Sequence, residues 1–272
     1  MPRPTSIDEF NMTYSDYKTL KFRTAGSVLV VSFNRPEAMN AFNQQMHTEF
    51  ARLWADIAAD DSVNAVVLTG EGRAFSAGGD LDMVKNLDGA TLDRIMVEAR
   101  KIILDLMEVP QPVIAAINGA AAGLGATIGL FCDVIFAAEH AKISDPHVRI
   151  GVTAGDGGAI IWPALVGVAR AKEYLMTGDS VTAVEAERIG LVNHVLPADQ
   201  VLDKALELAT RLSKGSQIAI RSTKRAINKA LAQNVNLTLD TSLLMEKECF
   251  STPFHKEAVA AISAQISSRK AA

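Results

Sequence analysis

Residues 143–158 read ISDPHVRIGVTAGDGG, with one histidine, His147, nine positions before an acid, Asp156, and four glycines around them. Histidine is the side chain whose ordinary pKa lies closest to neutrality, so it suits proton transfer. A carboxylate on one ring nitrogen would fix the tautomer, raise the basicity and leave the other nitrogen free for water. The same residues also read as a turn histidine and a helix cap, because Asp156 directly precedes the helical pattern GGAIIWPALVG. A loop reversing after Gly151 would bring Asp156 back against the imidazole.

Two further stretches could do chemistry. TGEGRAFSAGGDLDM (69–83) and NGAAAGLGATIGL (118–130) each follow an apolar run and carry small residues into the first turn of a helix. Free backbone N–H groups at such a start can meet an anion or a developing oxyanion, and glycine lets a ligand come close. Easing a turn is the plainer use of the same glycines. GAAAGLG lacks the order of a dinucleotide fingerprint, and no P-loop lysine follows either stretch. Ser76 precedes its glycines on the wrong side for a nucleophile elbow. Asp80 and Asp82 fit a helix start better than a catalytic pair.

The elements that must position these residues alternate. SVLVVSF (27–33), NAVVLTG (64–70), PVIAAING (112–119) and DVIFAAE (133–139) are nearly continuous apolar runs, as strands buried on both faces require. Between them, Met46, Phe50, Leu53, Trp54 and Ile57 fall at helical spacing, and so do Leu92, Ile95, Met96, Ala99, Ile102, Ile103 and Leu106. The alternation predicts an α/β core over 18–198, after a polar extension at 1–17. From 199 to 272 four helical segments follow, broken near residue 234, with Asp199 as N-cap of the first and Gly215 at its end. Their apolar faces need a surface to cover, a neighbouring subunit being one choice.

Composition excludes several functions. Among 272 residues the net charge is −4, which favours neither nucleic acid nor anionic lipid. Two cysteines and five histidines form no HExxH and no zinc spacing, so no metal is expected. The N-terminal residues lack the apolar core of a signal peptide and no run is long enough to span a bilayer, so a cytoplasmic protein without membrane contact is expected.

FNRPEAMNAFN (33–43), GRAFSAGGDLDM (72–83), PVIAAINGAAAGLGATIGLFCD (112–133), GDSVTAVEAERIGLVNHVLP (178–197) and FSTPFHKEAVAAI (250–262) occur in an order that resembles the crotonase superfamily of enoyl-CoA hydratases and isomerases. The resemblance implies a spiral of ββα units, a C-terminal helical trimerisation region, and a homotrimer or dimer of trimers. It implies an acyl-CoA substrate, coenzyme A being part of that substrate, with no permanently bound cofactor. The thioester carbonyl would lie between the amides of Gly79 and Leu124, an oxyanion hole. Such a donor supplies about 3–4 kcal/mol in a well-measured protease case. Coenzyme A contacts would fall on Ala77, Asp80, Leu81 and Asp82.

Hydratases of that family use two glutamates, and here their places are taken by Thr127 and His147. The leading expectation is a hydro-lyase of fatty-acid type: His147, supported by Asp156, activates water added to a 2-enoyl-CoA, with Thr127 binding that water or filling space. GVTAGDGGAIIWPALVG also resembles the 6-oxocamphor hydrolase-like branch, which cleaves cyclic 1,3-diketones, although no second histidine of that branch can be placed. Hydrolysis of a β-dicarbonyl skeleton or of the thioester is therefore the alternative. A non-catalytic scaffold is the third, and it would need neither the glycine loops nor His147.

Overall fold

The computed structural model describes residues 8–9 and 14–271. Its strands are β1 (Asp8–Glu9), β2 (Leu20–Ala25), β3 (Val28–Phe33), β4 (Ala65–Gly70), β5 (Ala74–Ser76), β6 (Val113–Ile117), β7 (Ala120–Ala122), β8 (Val134–Ala138), β9 (Lys142–Ser144), β10 (Val181–Thr182) and β11 (His194–Leu196). The helices are α1 (Gln44–Ala58), α2 (Leu81–Lys85), α3 (Gly89–Glu108), α4 (Gly123–Leu130), α5 (Gly158–Val166), α6 (Val168–Thr177), α7 (Ala183–Arg188), α8 (Val201–Ser213), α9 (Gln217–Cys249) and α10 (Pro253–Ala271).

Two sheets result. The larger has the order β1-β2-β3-β4-β6-β8-β11, and the smaller β10-β9-β7-β5. From β3 to β11 the large sheet is parallel, and the four apolar runs form its centre. Every residue of β3 and β6 is buried, which is why these strands lack alternation. The path β4–β5–α2, then β6–β7–α4, gives one strand to each sheet before a helix. This is the ββα repeat, and it stacks β5, β7 and β9 side by side. Three loops from successive repeats therefore converge on one region.

Helix α1 starts where Asn43 accepts a hydrogen bond from the Met46 N–H at 2.9 Å. Its periodic residues all point inward, and Phe50 stacks on Phe33 with ring centroids 5.0 Å apart.

Three expectations change. Residues 217–249 form one continuous helix of 33 residues, because Asn234 is not a breaker within an otherwise helical pattern. Asp199 lies in a short 3-10 helix, and no side chain caps α8. Tyr14 and Tyr17, expected in the polar extension, are buried against Phe22, so the core begins before residue 18. Residues 1–7 and 10–13 of that extension lie outside those described.

Candidate active site

The loop after β9 carries His147 on a four-residue 3-10 helix, His147–Ile150, which ends at Gly151 in the left-handed region. That turn reverses the chain, and the Val152 N–H donates to the His147 carbonyl at 3.0 Å. The reversal brings Asp156 back to the imidazole, as the sequence suggested. His147 Nε2 lies 3.4 Å from Asp156 Oδ2.

Asp156 is not, however, the carboxylate that orients the ring. Nδ1 of His147 donates to Asp145 Oδ1, two residues earlier across Pro146. Asp145 is buried, and its other oxygen has no partner among the described residues. Gly158 makes this possible, since a Cβ there would lie 2.0 Å from Asp145 Oδ2. Nor does Asp156 cap α5, whose N-cap is Gly157 with no side-chain bond.

The glycine loops meet beside this imidazole. Gly78 has φ +83°, and a Cβ on it would strike the Ala122 carbonyl oxygen at 2.7 Å. A Cβ on Gly123 would lie 3.5 Å from His147 Cε1 and 3.7 Å from the Gly78 Cα. Phe42 makes a parallel bridge to Gly79 by donating to the Gly78 carbonyl at 2.7 Å and accepting from the Asp80 N–H at 3.0 Å. This pattern leaves the Gly79 N–H on the opposite side of the strand, toward the space it lines. Leu124 is the second residue of α4, where an N–H has no intrahelical partner.

That space is a cavity of about 290 Å³. Ala77, Gly78, Gly79, Leu81, Gly123, Leu124, His147 and Asp156 line it, with apolar walls from Met83, Val84, Leu87, Ile95, Met96, Phe250 and Ile262. Asp80 and Asp82 lie instead on an adjoining open groove of about 950 Å³ with Arg35, Arg52 and Met83. Asp80 caps α2 and pairs with Arg35 at 3.0 Å. Thr127 is fully buried and lines neither space. Its hydroxyl donates to Asp156 Oδ1 at 3.4 Å, so it supports the carboxylate rather than facing the cavity.

Two cavity-lining groups, His47 and Glu246, and two carboxylates behind the imidazoles, Glu98 and Asp145, were not singled out in the sequence. His47, on α1, lines the cavity, and its Nδ1 donates to Glu98 Oε2 at 3.1 Å. Glu98, on α3, also accepts from the Thr48 hydroxyl at 2.8 Å. Glu246, on α9, also lines the cavity and is buried. Asp145 completes the set. Glu98 and Glu246 had one legible signal: each is an acid on an otherwise apolar helical stripe.

The electrostatics follow from three acids crowding one half-buried imidazole. Burial lowers the pKa of His147, but Asp145 and Asp156 outweigh it and hold the imidazolium well above 6.5. Burial raises Asp156, and the Asp145 charge adds to this against the pull of His147. Burial and the Asp156 charge push Glu246 well above the usual range. Around His47 the balance is reversed: burial raises Glu98, but hydrogen bonds from His47 and Thr48 hold it below its ordinary value. Asp145, His147 and Asp156 each present a ligand atom within 4.8 Å of the others, close enough for a cation. Proton sharing accounts for the same three atoms without one.

A family model for enoyl-CoA hydratase/isomerase matches residues 23–267. The chain belongs to that family. It is a member of the crotonase superfamily, and its similarity to individual members runs nearly end to end. It is 36% identical to the short-chain-enoyl-CoA hydratase of Clostridium acetobutylicum over 241 residues, 87% of this chain and 91% of that protein. An enoyl-CoA hydratase/isomerase from Mycobacterium paratuberculosis superposes with TM-score 0.88 at 36% identity, covering 90% of this chain and 99% of the other. A β-diketone hydrolase from the cyanobacterium Anabaena, bound to (S)-3-oxocyclohexyl acetic acid, superposes with TM-score 0.82 at 30% identity, covering 89% and 98%. In this chain the ββα repeat and the glycine loops surround an imidazole with Asp145, Asp156 and Glu246 about it.

Proposed function

We propose that this crotonase-superfamily enzyme is enoyl-CoA hydratase-like, adding water to a 2-enoyl thioester with His147 as the base. The observation that carries it is the convergence of His147 with the Gly79 and Leu124 amides on one cavity. The thioester carbonyl accepts from the two amides. His147 Nε2 takes a proton from water as its oxygen bonds to the β-carbon, and charge collects on the carbonyl oxygen as an enolate. Donors already aimed at that oxygen need no reorganisation during the reaction. The acyl chain lies among Leu87, Ile95 and Met96, and the coenzyme A portion runs out along the groove that shares Met83 with the cavity. Incubation with crotonyl-CoA, followed by mass, tests this. Gain of one water on an intact thioester, lost in His147→Ala, is the expected result.

A second reading is favoured by His47. It supplies the second cavity histidine that hydrolysis of a cyclic 1,3-diketone requires and that the sequence did not locate. The residues that depart from the hydratase pattern are the ones this reading uses. His147 activates water against one carbonyl, while His47 and the two amides stabilise the other as the carbon–carbon bond breaks. A cavity of about 290 Å³ suits a small ring, and the groove's arginines are engaged, Arg35 by Asp80 and Arg52 over the Tyr17 ring. The Anabaena hydrolase supports this reading. Ring opening of a coenzyme A-free cyclic 1,3-diketone, with crotonyl-CoA untouched, would establish it.

A homotrimer or dimer of trimers in the cytoplasm completes the proposal. Helix α9 leaves Ile218, Ile227 and Leu237 exposed, as expected of a face that another subunit covers. Sedimentation equilibrium of the full chain reads the assembly, and a monomer at micromolar concentration would exclude it. No helix among the described residues is long and apolar enough to cross a membrane.

A further inference from the structure

We infer that His255 is a positioning residue for His147: from the first turn of α10, its ring holds the end of the 3-10 turn that carries the imidazole. The inference rests on the reading given under Proposed function, in which His147 is the base, and adds a residue outside the reacting groups to it.

A four-residue 3-10 helix satisfies few of its own backbone groups, and its last carbonyls need donors from elsewhere. The His147 carbonyl accepts from the Val152 N–H and the Val148 carbonyl from the Gly151 N–H, each at 3.0 Å. The Ile150 carbonyl is served differently: His255 Nδ1 donates to it at 2.7 Å. Arg149 leaves the turn for solvent and pairs with Asp179 at 2.6 Å. The histidine bond is therefore the tie between this turn and the C-terminal helices.

His255 is itself built into place. It is 4% exposed, and its ring packs edge-on against Phe250 with centroids 4.9 Å apart. Its backbone N–H donates to the Thr252 hydroxyl at 3.3 Å, which fixes the start of α10. Gly151 lets that helix come close, since a Cβ there would lie 2.5 Å from Phe254 Cδ1 and 3.3 Å from the His255 backbone nitrogen. Phe250 also lines the cavity, so the ring that steadies His255 is one that substrate touches.

The effect is local to the base. Ile150 is the last residue of the turn that His147 begins, so a shift of its carbonyl tilts the imidazole against Asp145 and the two amides. Without the His255 ring, that carbonyl is left to water from a groove of about 650 Å³ that His255 also lines, and the turn loses its fixed direction. Misplacing a reacting group by about 1 Å can cost about 10²-fold in rate. Ground-state binding, which uses the amides and the apolar walls, changes little.

His255→Asn, His255→Gln and His255→Leu test this, because asparagine sets an amide N–H near the Nδ1 position and glutamine sets one near Nε2. Without substrate, proton NMR of wild type shows a low-field ring N–H for His147 bonded to Asp145, assigned by its loss in Asp145→Asn. His255→Leu and His255→Gln shift or broaden that resonance and lower kcat by about 10- to 10²-fold, with KM within about twofold. His255→Asn keeps the resonance and most of the rate. A folded His255→Leu with wild-type kcat and resonance overturns the proposal, and so do Asn and Gln variants that behave alike. If His255→Leu does not fold, the Asn and Gln pair decides alone. The resonance needs no substrate, so a wild type inert to crotonyl-CoA and to a cyclic 1,3-diketone overturns the functional reading separately.

Discussion

His47 and His147 face one cavity, and each gives its Nδ1 to a buried carboxylate, Glu98 and Asp145 respectively. Both rings therefore hold a fixed tautomer with Nε2 as the remaining nitrogen. Only His147 has a second acid, Asp156, at that nitrogen. The two imidazoles thus meet different surroundings at Nε2 within one small space.

Asp145 is the orienting group, so Asp145→Asn should lower kcat by roughly 10²–10⁴-fold with little change in KM. Steady-state kinetics of the purified variant decide it. A variant with near wild-type kcat would mean that the ring is held by packing alone.

The pH profile carries a sign. The imidazole must be unprotonated to take a proton from water, and neighbouring acids hold its pKa above 6.5. The rising limb of kcat/KM should therefore lie on the alkaline side of 6.5. Asp156→Asn removes one of the charges responsible and should move the limb downward. A wild-type limb at or below 6.5 would contradict the charge balance.

Stability should fall as pH rises. His147, Asp156 and Glu246 all have pKa values raised in the folded state, so the native protein binds more protons than the unfolded chain. For His147 the contribution is fully present below 6.5 and is lost as pH passes its folded value. For the two acids the loss begins above the ordinary carboxylate range, near pH 4, and continues to their folded values. Thermal unfolding should give a higher Tm at pH 6 than at pH 9. Glu246→Gln should flatten part of the fall in Tm above pH 4, and an unchanged slope would remove Glu246 from the account.

Gly78→Ala should cost about 1–3 kcal/mol, because it forces a side chain into the left-handed region and against the Ala122 carbonyl. Displacing this loop also shifts the Gly79 amide, so kcat should fall in the folded variant. Denaturant unfolding and kinetics on the same preparation separate the two effects.

Much of this was legible from residue order. The four apolar runs became the centre of the large sheet with ends shifted by no more than two residues. His147 and the two glycine loops lie against one another around one cavity. The role of Asp156 was only half readable: its return to the imidazole follows from the turn at Gly151, but which ring nitrogen it meets depends on where Pro146 leaves Asp145. An acid two residues from a histidine gives no periodic signal. His47, Glu98 and Glu246 come from three helices far apart in the chain, and only packing brings His47 and Glu246 to one cavity with Glu98 behind the His47 ring. The expected break near residue 234 failed because local composition weakly penalises a helix that α3 and α5 support along its length.

Helix α9 ties the cavity to the opposite end of the fold. Lys224 anchors its first half to the Gln111 carbonyl and Asp133, and Asn228 to the Met107 carbonyl, while Glu246 enters the cavity five to six turns later. A helix advances about 1.5 Å and turns about 100° per residue. Removing one residue between positions 229 and 245 would swing Glu246 a quarter-turn or more off the cavity wall while every strand stayed paired. The spacing from Lys224 to Glu246 is therefore a length standard: the chain can vary its composition there, but not its count.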